Sequence, residues 1–361
     1  MKQITVGNLE DIALGAAVLG TGGGGDPYIG KLLAKSAMTD NPPVPLLDVA
    51  SLNDDDLILP TAMMGAPTVM VEKMPAGTEI ITATRALAEF LGQEIVATMP
   101  MEAGGVNSLV PFSVAAQLGI PVVDADGMGR AFPELQMVTP TIWGIAATPM
   151  AIADDKGNSA VIQTVNNHWT ETFARSLTVD MGASAMISVF PMTGKQVKET
   201  TIPGTVSLTE RIGRAIREAH ERHTDPIQAV CGVTNGFAIW QGKVGDVERR
   251  TVGGFARGTA EIEGTGAYQG RTLEIEFQNE FLIARDGDEV MVTTPDLITV
   301  LDAETGEPIT TESLRYGFRV VVLGIPSNER WRSARGLELV GPGYFGYEAS
   351  FSPVEARFGG K

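Results

Sequence analysis

Apolar positions recur at helical spacing through Leu9, Ile12, Ala16 and Leu19, and Asn8-Leu-Glu-Asp11 supplies a capping side chain with an acid three residues on. A helix ending near Gly20 is predicted. After Gly20-Thr-Gly-Gly-Gly-Gly25, Asp26-Pro27 reads as an N-cap with proline at the first helical position, predicting a second helix over 28–38. Short apolar runs at 57–59, 79–81, 94–98 and 121–123 predict strands, and helical patterns at 83–91 and 108–118 alternate with them. That alternation predicts an α/β fold with a mostly parallel sheet.

The pattern turns to short strands between 140 and 162, around a turn at Asp154-Asp-Lys-Gly157. Asn167 then opens a helix carrying Trp169, Phe173 and Leu177, with Glu171 and Arg175 one turn apart as a surface pair. A strand over 185–190 follows, and Ser207-Leu-Thr-Glu210 reads as a capping box for a helix that buries Ile212, Ala215, Ile216 and Ala219 and stops at Asp225-Pro226. Past 226 the helical period vanishes. Leu273, Ile275, Phe277, Phe281 and Ile283 alternate with Glu274, Glu276, Gln278, Glu280 and Leu282, the pattern of half-exposed strands. Turn signals at Asp286-Gly287, Thr305-Gly306 and Gly341-Pro342 punctuate further runs at 289–293 and 319–323. The expected layout is an α/β domain over 1–165 and a C-terminal domain over 166–361, which enters through an α/β segment and becomes β-rich.

Composition agrees with two cores: 361 residues exceed the usual size of one, and 43% hydrophobic against 20% charged residues is ordinary for a globular chain. A formal net charge of −17, without clustered Lys and Arg, argues against nucleic acid or an anionic membrane as partner. The single cysteine, Cys231, rules out an intrachain disulfide and, in its apolar context, reads as a buried small residue rather than a nucleophile. The N-terminus lacks the apolar core of a secretory signal, and the longest apolar stretch, 109–123, contains Pro111, Gln117, Gly119 and Pro121 and is too short to cross a bilayer. A cytoplasmic protein is expected.

Candidate chemistry gathers where apolar runs break. Ile120-Pro-Val-Val-Asp124 passes into Ala-Asp126-Gly-Met-Gly-Arg130-Ala-Phe-Pro-Glu134, and loops beyond the carboxyl ends of parallel strands form the ligand crevice of α/β sheets. The strand at 94–98 ends in a similar loop containing Glu102 and Asn107, where Asn107 or Ser108 also suits a helix cap. Repulsion among Glu102, Asp124 and Asp126 in a confined site would leave one acid and one base at neutral pH, with Asp126 or Glu102 as base and Arg130 as clamp for a substrate carboxylate. Gly20, Gly22 and Gly25 match the spacing of a dinucleotide fingerprint, but a helix rather than a strand precedes them, so no nicotinamide cofactor is expected. Gly22, Gly23, Gly24, Gly25 and Asp26 instead suggest an anion site at a helix N-terminus; a plain helix connection is the alternative. Of three histidines, His168 at a helix start is the functional candidate, while His220 and His223 fit a helix end. A divalent metal held by Glu102, Asp124 or Asp126 with His168 stays open.

Gly20-Thr-Gly-Gly-Gly-Gly-Asp26-Pro27, Glu102-Ala-Gly-Gly-Val-Asn107 and Asp124-Ala-Asp-Gly-Met-Gly-Arg-Ala-Phe-Pro-Glu134 together resemble a bacterial family named for S-methyl thiohydantoin desulfurase. The resemblance extends to Gly336-Leu-Glu-Leu-Val-Gly-Pro-Gly-Tyr-Phe-Gly-Tyr347. It implies an α/β N-terminal and a β-rich C-terminal domain, and hydrolysis of an S-methylated thiohydantoin bearing a propionate arm to a hydantoin and methanethiol. It also implies an association with hydantoinase- and oxoprolinase-like proteins. A small cyclic amide is thus the expected ligand, with a homo-oligomer or a hydantoinase-like partner as further expectations. The alternatives are a non-catalytic ligand-binding or regulatory partner of such an enzyme and, on the glycine loop alone, a component of an ATP-dependent cyclic-amide hydrolase.

Overall fold

A computed structural model describes residues 1–65 and 75–360. Its strands are β1 (Lys2–Ile4), β2 (Val44–Leu47), β3 (Leu57–Gly65), β4 (Ala97–Pro100), β5 (Val122–Val123), β6 (Ala125–Asp126), β7 (Met150–Ala153), β8 (Ser159–Ile162), β9 (Ser184–Ser188), β10 (Met192–Thr193) and β11 (Ile202–Pro203). They are followed by β12 (Phe237–Val252), β13 (Phe255–Gly264), β14 (Thr272–Gln278), β15 (Glu280–Asp286), β16 (Glu289–Thr293), β17 (Leu297–Asp302) and β18 (Arg319–Ile325).

The first sheet has the order β1-β2-β5-β4-β3-β9-β7-β8, with β10 on β3. β2, β5, β4 and β3 run parallel at its centre, and antiparallel strands complete it on both sides. The parallel centre suits its sequence, because β3 is buried along nearly its whole length and strands covered on both faces are apolar throughout. Helices Pro27–Met38, Glu79–Leu91 and Val110–Leu118 accompany this sheet. β9 and β10 join it from beyond residue 180, so the first sheet draws on both halves of the chain.

The C-terminal strands form a second, wholly antiparallel sheet, β16-β15-β14-β13-β12-β18-β17, which curls around a core including Trp240, Phe277, Phe281 and Val300. Alternation through β14 places Leu273, Ile275 and Phe277 inward, as their spacing predicts. The architecture is a mixed α/β region with a parallel centre joined to a β-rich region. Among the described residues no helix is long and apolar enough to cross a membrane.

Several local expectations are corrected. Residues 79–81 are the first turn of helix Glu79–Leu91, not a strand, and the Ala76 N–H donates to Glu79 Oε1 at 2.9 Å. A three-residue apolar run carries no period that could separate the two. Asn8 does not cap the first helix, Leu9–Leu19; its Oδ1 accepts from the Thr5 N–H at 2.9 Å instead. Ser207 lies inside helix Thr205–Glu221, and Asp225-Pro226 opens another helix, Pro226–Thr234, rather than ending the helical region. Gly341-Pro342 joins helix Ala334–Val340 to a 3-10 turn, not two strands.

Candidate active site

A pocket open to solvent at one side lies where the carboxyl ends of β3 and β4 meet the turn between β14 and β15. Met63, Met64, Met101, Met128, Phe132, Ile187 and Val189 give it apolar walls. Its polar groups are Glu102, Asn107, Glu134, Glu171, Arg175, Asn279 and Glu280.

The glycines build its floor by backbone contact. A Cβ on Gly24 would stand 2.5 Å from the Gly104 Cα, and one on Gly105 would stand 2.1 Å from the Gly25 carbonyl oxygen. Only hydrogens fit between these loops, and the Val106 N–H fastens them by donating to the Gly24 carbonyl at 2.8 Å. Glu102 is set on this junction. Its Oε1 accepts from Asn107 Nδ2, while Asn107 also clasps β3 by accepting from the Met63 N–H at 2.6 Å and donating to the Met63 carbonyl at 3.1 Å. Burial pushes the Glu102 carboxyl up to about 7, against the opposing bonds from Asn107 and the Phe132 backbone.

Glu280 enters from the C-terminal sheet. Asn279 turns the chain through a positive φ of 57°, and Ala256 pairs with it, accepting from its N–H at 2.7 Å and donating to its Oδ1 at 2.9 Å. The Phe281 N–H donates to the Thr21 carbonyl at 2.8 Å, so the glycine loop itself anchors the strand that carries Glu280. The Glu280 carboxylate presses on Gly23, where a Cβ would lie 2.0 Å from its Oε1, and its Oε2 is buried without a hydrogen-bond partner. Burial first, then the charge of Glu102, holds Glu280 well above the usual carboxylate range despite the opposing field of Arg130.

Helix Asn167–Asp180 brings a third group. Arg175 Nε donates to Glu171 Oε1 at 2.8 Å, the Leu135 N–H donates to Glu171 Oε2 at 3.0 Å, and the guanidinium lies 4.6 Å from the Phe255 ring centre at the β12–β13 hairpin tip. This pair, expected at the surface, is largely buried and lines the pocket. Nearby Glu134 accepts from the Tyr344 hydroxyl at 2.7 Å and from Gln136.

A family model described as the S-Me-THD-like N-terminal domain matches residues 7–164, and one described as the S-Me-THD-like C-terminal domain matches residues 165–354. The chain belongs to the S-Me-THD-like family. The family resemblance read from the motifs is borne out. No curated protein matches the chain. A crystal structure of a protein from Chromobacterium violaceum is similar over 98% of this S-Me-THD-like chain and 100% of its own, with a TM-score of 0.83 and 23% identity, a likeness of fold.

Of the residues singled out by sequence, the S-Me-THD-like protein brings Glu102, Asn107, Gly24, Gly25 and Glu134 to one pocket, with Gly22 and Gly23 just behind it. The others are placed elsewhere. The Asp124 carboxylate caps helix Thr205–Glu221, accepting from the Ser207 N–H at 2.9 Å and the Ser207 hydroxyl at 2.6 Å. Asp126, fully buried and pushed up to about 7 by that burial, turns back on its own loop and accepts from the Met128 and Gly129 amides. Arg130 spends its donors on Ala131, Pro295, Asp296, Thr21 and Phe281. Asp26 caps its helix, accepting from the Tyr28 N–H at 2.8 Å, and the carboxyl group pressed against the glycine loop is the protein's own Glu280. His168 is exposed and outside the pocket lining, His220 Nε2 lies 2.7 Å from the Thr305 carbonyl, and His223 is exposed. Cys231 is half-buried in helix Pro226–Thr234, with its thiol pushed up to about 11 by burial, unlike an activated nucleophile. Among the described residues no three His, Cys, Asp or Glu side chains group as a metal site.

The cap role of Asp124 has a measurable consequence. Asp124→Ala is expected to cost about 1 kcal/mol in urea unfolding, as loss of a helix cap does, with turnover within a factor of about two of the parent. A large loss of turnover at unchanged stability would return Asp124 to the chemistry.

Sequence reading missed Glu280, Asn279, Glu171 and Arg175. One signal was available: in the period-two pattern Asn279 takes the apolar phase between Phe277 and Phe281, and a polar residue in a buried phase needs a reason.

Proposed function

We propose that this chain is a hydrolase that converts an S-methylated thiohydantoin, or a closely related cyclic amidine, to the corresponding cyclic amide with release of methanethiol. The single observation that carries the reading is the facing pair Glu102 and Glu280, two carboxyl groups from different sheets buried at the base of one apolar pocket. Burial raises both, and the charge of Glu102 raises Glu280 further, so the pair cannot readily ionise together and divides into one base and one acid.

In the reaction, Glu102 takes a proton from water as its oxygen bonds to the ring carbon that bears sulfur. The C=N pair moves onto the ring nitrogen, which takes the remaining water proton; the C–S bond then breaks, the carbon becomes a carbonyl, and Glu280 protonates the departing methanethiolate. Asn107 holds the Glu102 carboxylate in line by its hydrogen bond. Met63, Met64, Met101 and Met128 offer a polarisable wall for the methylthio group, since thioethers pack well against irregular apolar shapes. Arg175 supplies the cation near the substrate that Arg130, sealed in protein, does not.

The test is thiol release by the purified chain from a panel of S-methylated thiohydantoins, followed with a thiol reagent, with calorimetry alongside. Binding without thiol release would favour a non-catalytic ligand-binding role. The pH profile checks the assignment: Glu102 works deprotonated, so kcat/KM is expected to rise as pH climbs through about 7, and the burial that raises Glu280 favours the protonated form it needs as acid. A rate that falls through the same window would reverse the roles.

A further inference from the structure

We infer that Glu312 relays protons between solvent and Glu280, recharging the pocket acid from behind rather than through the substrate chamber. The inference rests on the reading of Glu280 as the acid of that reaction.

The geometry brings the two glutamates together by the residues that precede them. Thr311 Oγ1 donates to the Asn279 carbonyl at 2.7 Å, so the peptide before Glu312 is fastened to the peptide before Glu280. The Thr311 N–H donates to the Gly22 carbonyl at 2.8 Å, which locks both segments against the glycine loop. Glu312 does not line the pocket. Each glutamate has one carboxyl oxygen, Glu280 Oε2 and Glu312 Oε1, that is buried with no hydrogen-bond partner among the described residues. Two such oxygens on adjoining segments are costly unless they carry or exchange a proton, and Glu280 feels Glu312 as a like charge. Burial likewise raises the pKa of Glu312.

The surroundings give the path its direction. Glu280 faces Glu102 on the pocket side and Arg130, which has Asp296 behind it. Glu312 faces Arg249 of β12, whose guanidinium holds the same turn by donating to the Thr311 and Leu314 carbonyls. Glu312 is only partly exposed, whereas its neighbour Ser313 is exposed, so the relay ends at the surface one residue away.

The proton count closes. After one turnover Glu280 has given its proton to methanethiolate and Glu102 holds one taken from water. Glu312 passes its proton to Glu280 and takes another from solvent, and Glu102 returns its proton to solvent as product leaves. Glu312 acts through Glu280 and never touches substrate.

The coupling can be read without substrate. In infrared difference spectra of the full chain, a protonated-carboxyl signal that disappears in Glu280→Gln is expected to titrate about one pH unit lower in Glu312→Gln, because a like charge is lost. In turnover, Glu312→Gln is expected to lower kcat about tenfold at unchanged KM, with recovery by added formate and in Glu312→Asp. An unchanged carboxyl midpoint in Glu312→Gln, or a kcat loss that formate does not restore, overturns the relay. If the parent chain releases no thiol, the proposed reaction fails while the infrared midpoint still decides whether the two groups are coupled. Circular dichroism confirms folding, and Glu312→Asp serves as the readout if the glutamine variant does not fold.

Discussion

Glu280→Gln is expected to lower methanethiol release by about 10²–10⁴-fold, the range for removing a positioned general acid, while the protein folds as well as or better than the parent at neutral pH. The two effects have one cause. Glutamine keeps the shape that presses on Gly23, and it cannot ionise. The parent carboxyl has a folded pKa well above the ordinary 4.5, so its protonated form is the one the fold favours. The stability it contributes is fully present below about 4.5 and is lost as pH rises toward the folded value, because the unfolded chain releases the proton first. The variant should therefore unfold with a weaker pH dependence above pH 4.5, moving its thermal midpoint up relative to the parent under neutral conditions. Turnover and thermal unfolding at a mildly acidic and a mildly basic pH check both halves. Near-normal thiol release would remove Glu280 from the acid role, and lost activity with a lowered midpoint would make it a structural residue. Such a trade is expected of a buried group kept for chemistry rather than for stability.

The half of the pocket contributed by the first sheet was legible because its signals are local. A strand that breaks into Glu102-Ala-Gly-Gly-Val-Asn107 announces a loop at a carboxyl end, and the glycine loop announces close backbone approach. What each loop approaches is set by tertiary contacts. The sequence places Asp124 and Asp126 two apart, consistent with a shared face along a strand, yet the chain passes from β5 to β6 there and the two carboxylates diverge, one to the start of a distant helix and one to its own turn. Glu171 and Arg175 have the spacing of a solvated helical pair, and nothing within the helix says that its inner face closes a pocket. Glu280 sits among alternating glutamates that are largely solvated, and only the docking of the β14–β15 turn on Thr21 distinguishes it from them. Period and motif therefore recovered the two-region layout, whereas the partner of Glu102 depended on a contact between residues 178 positions apart.

Arg130→Ala is expected to destabilise the protein by about 3–5 kcal/mol, enough to lower the urea midpoint sharply with an unchanged slope. The side chain is fully buried, with its guanidinium 4.3 Å from the Phe132 ring centre and pushed down to about 10 by burial, still charged at neutral pH. Its acceptors come from four places: its own turn through the Ala131 carbonyl, the connection between β16 and β17 through the Pro295 and Asp296 carbonyls, the glycine loop through Thr21 Oγ1, and β15 through the Phe281 carbonyl. Removing the guanidinium orphans several buried oxygens at once, and each lost partner costs about 1–3 kcal/mol before the site relaxes. Arg130→Lys should recover little, because an ammonium cannot reproduce a planar fork that serves several carbonyls in fixed directions. A surface clamp for a substrate carboxylate makes the opposite forecast: a stable variant whose KM rises only for substrates carrying an anionic arm. Unfolding curves for Arg130→Ala and Arg130→Lys, with KM for charged and uncharged substrates, decide between them. Because the same guanidinium holds Thr21 and the strand of Glu280, partial unfolding should begin where the glycine loop meets the second sheet, with the earliest loss of amide protection at Phe281.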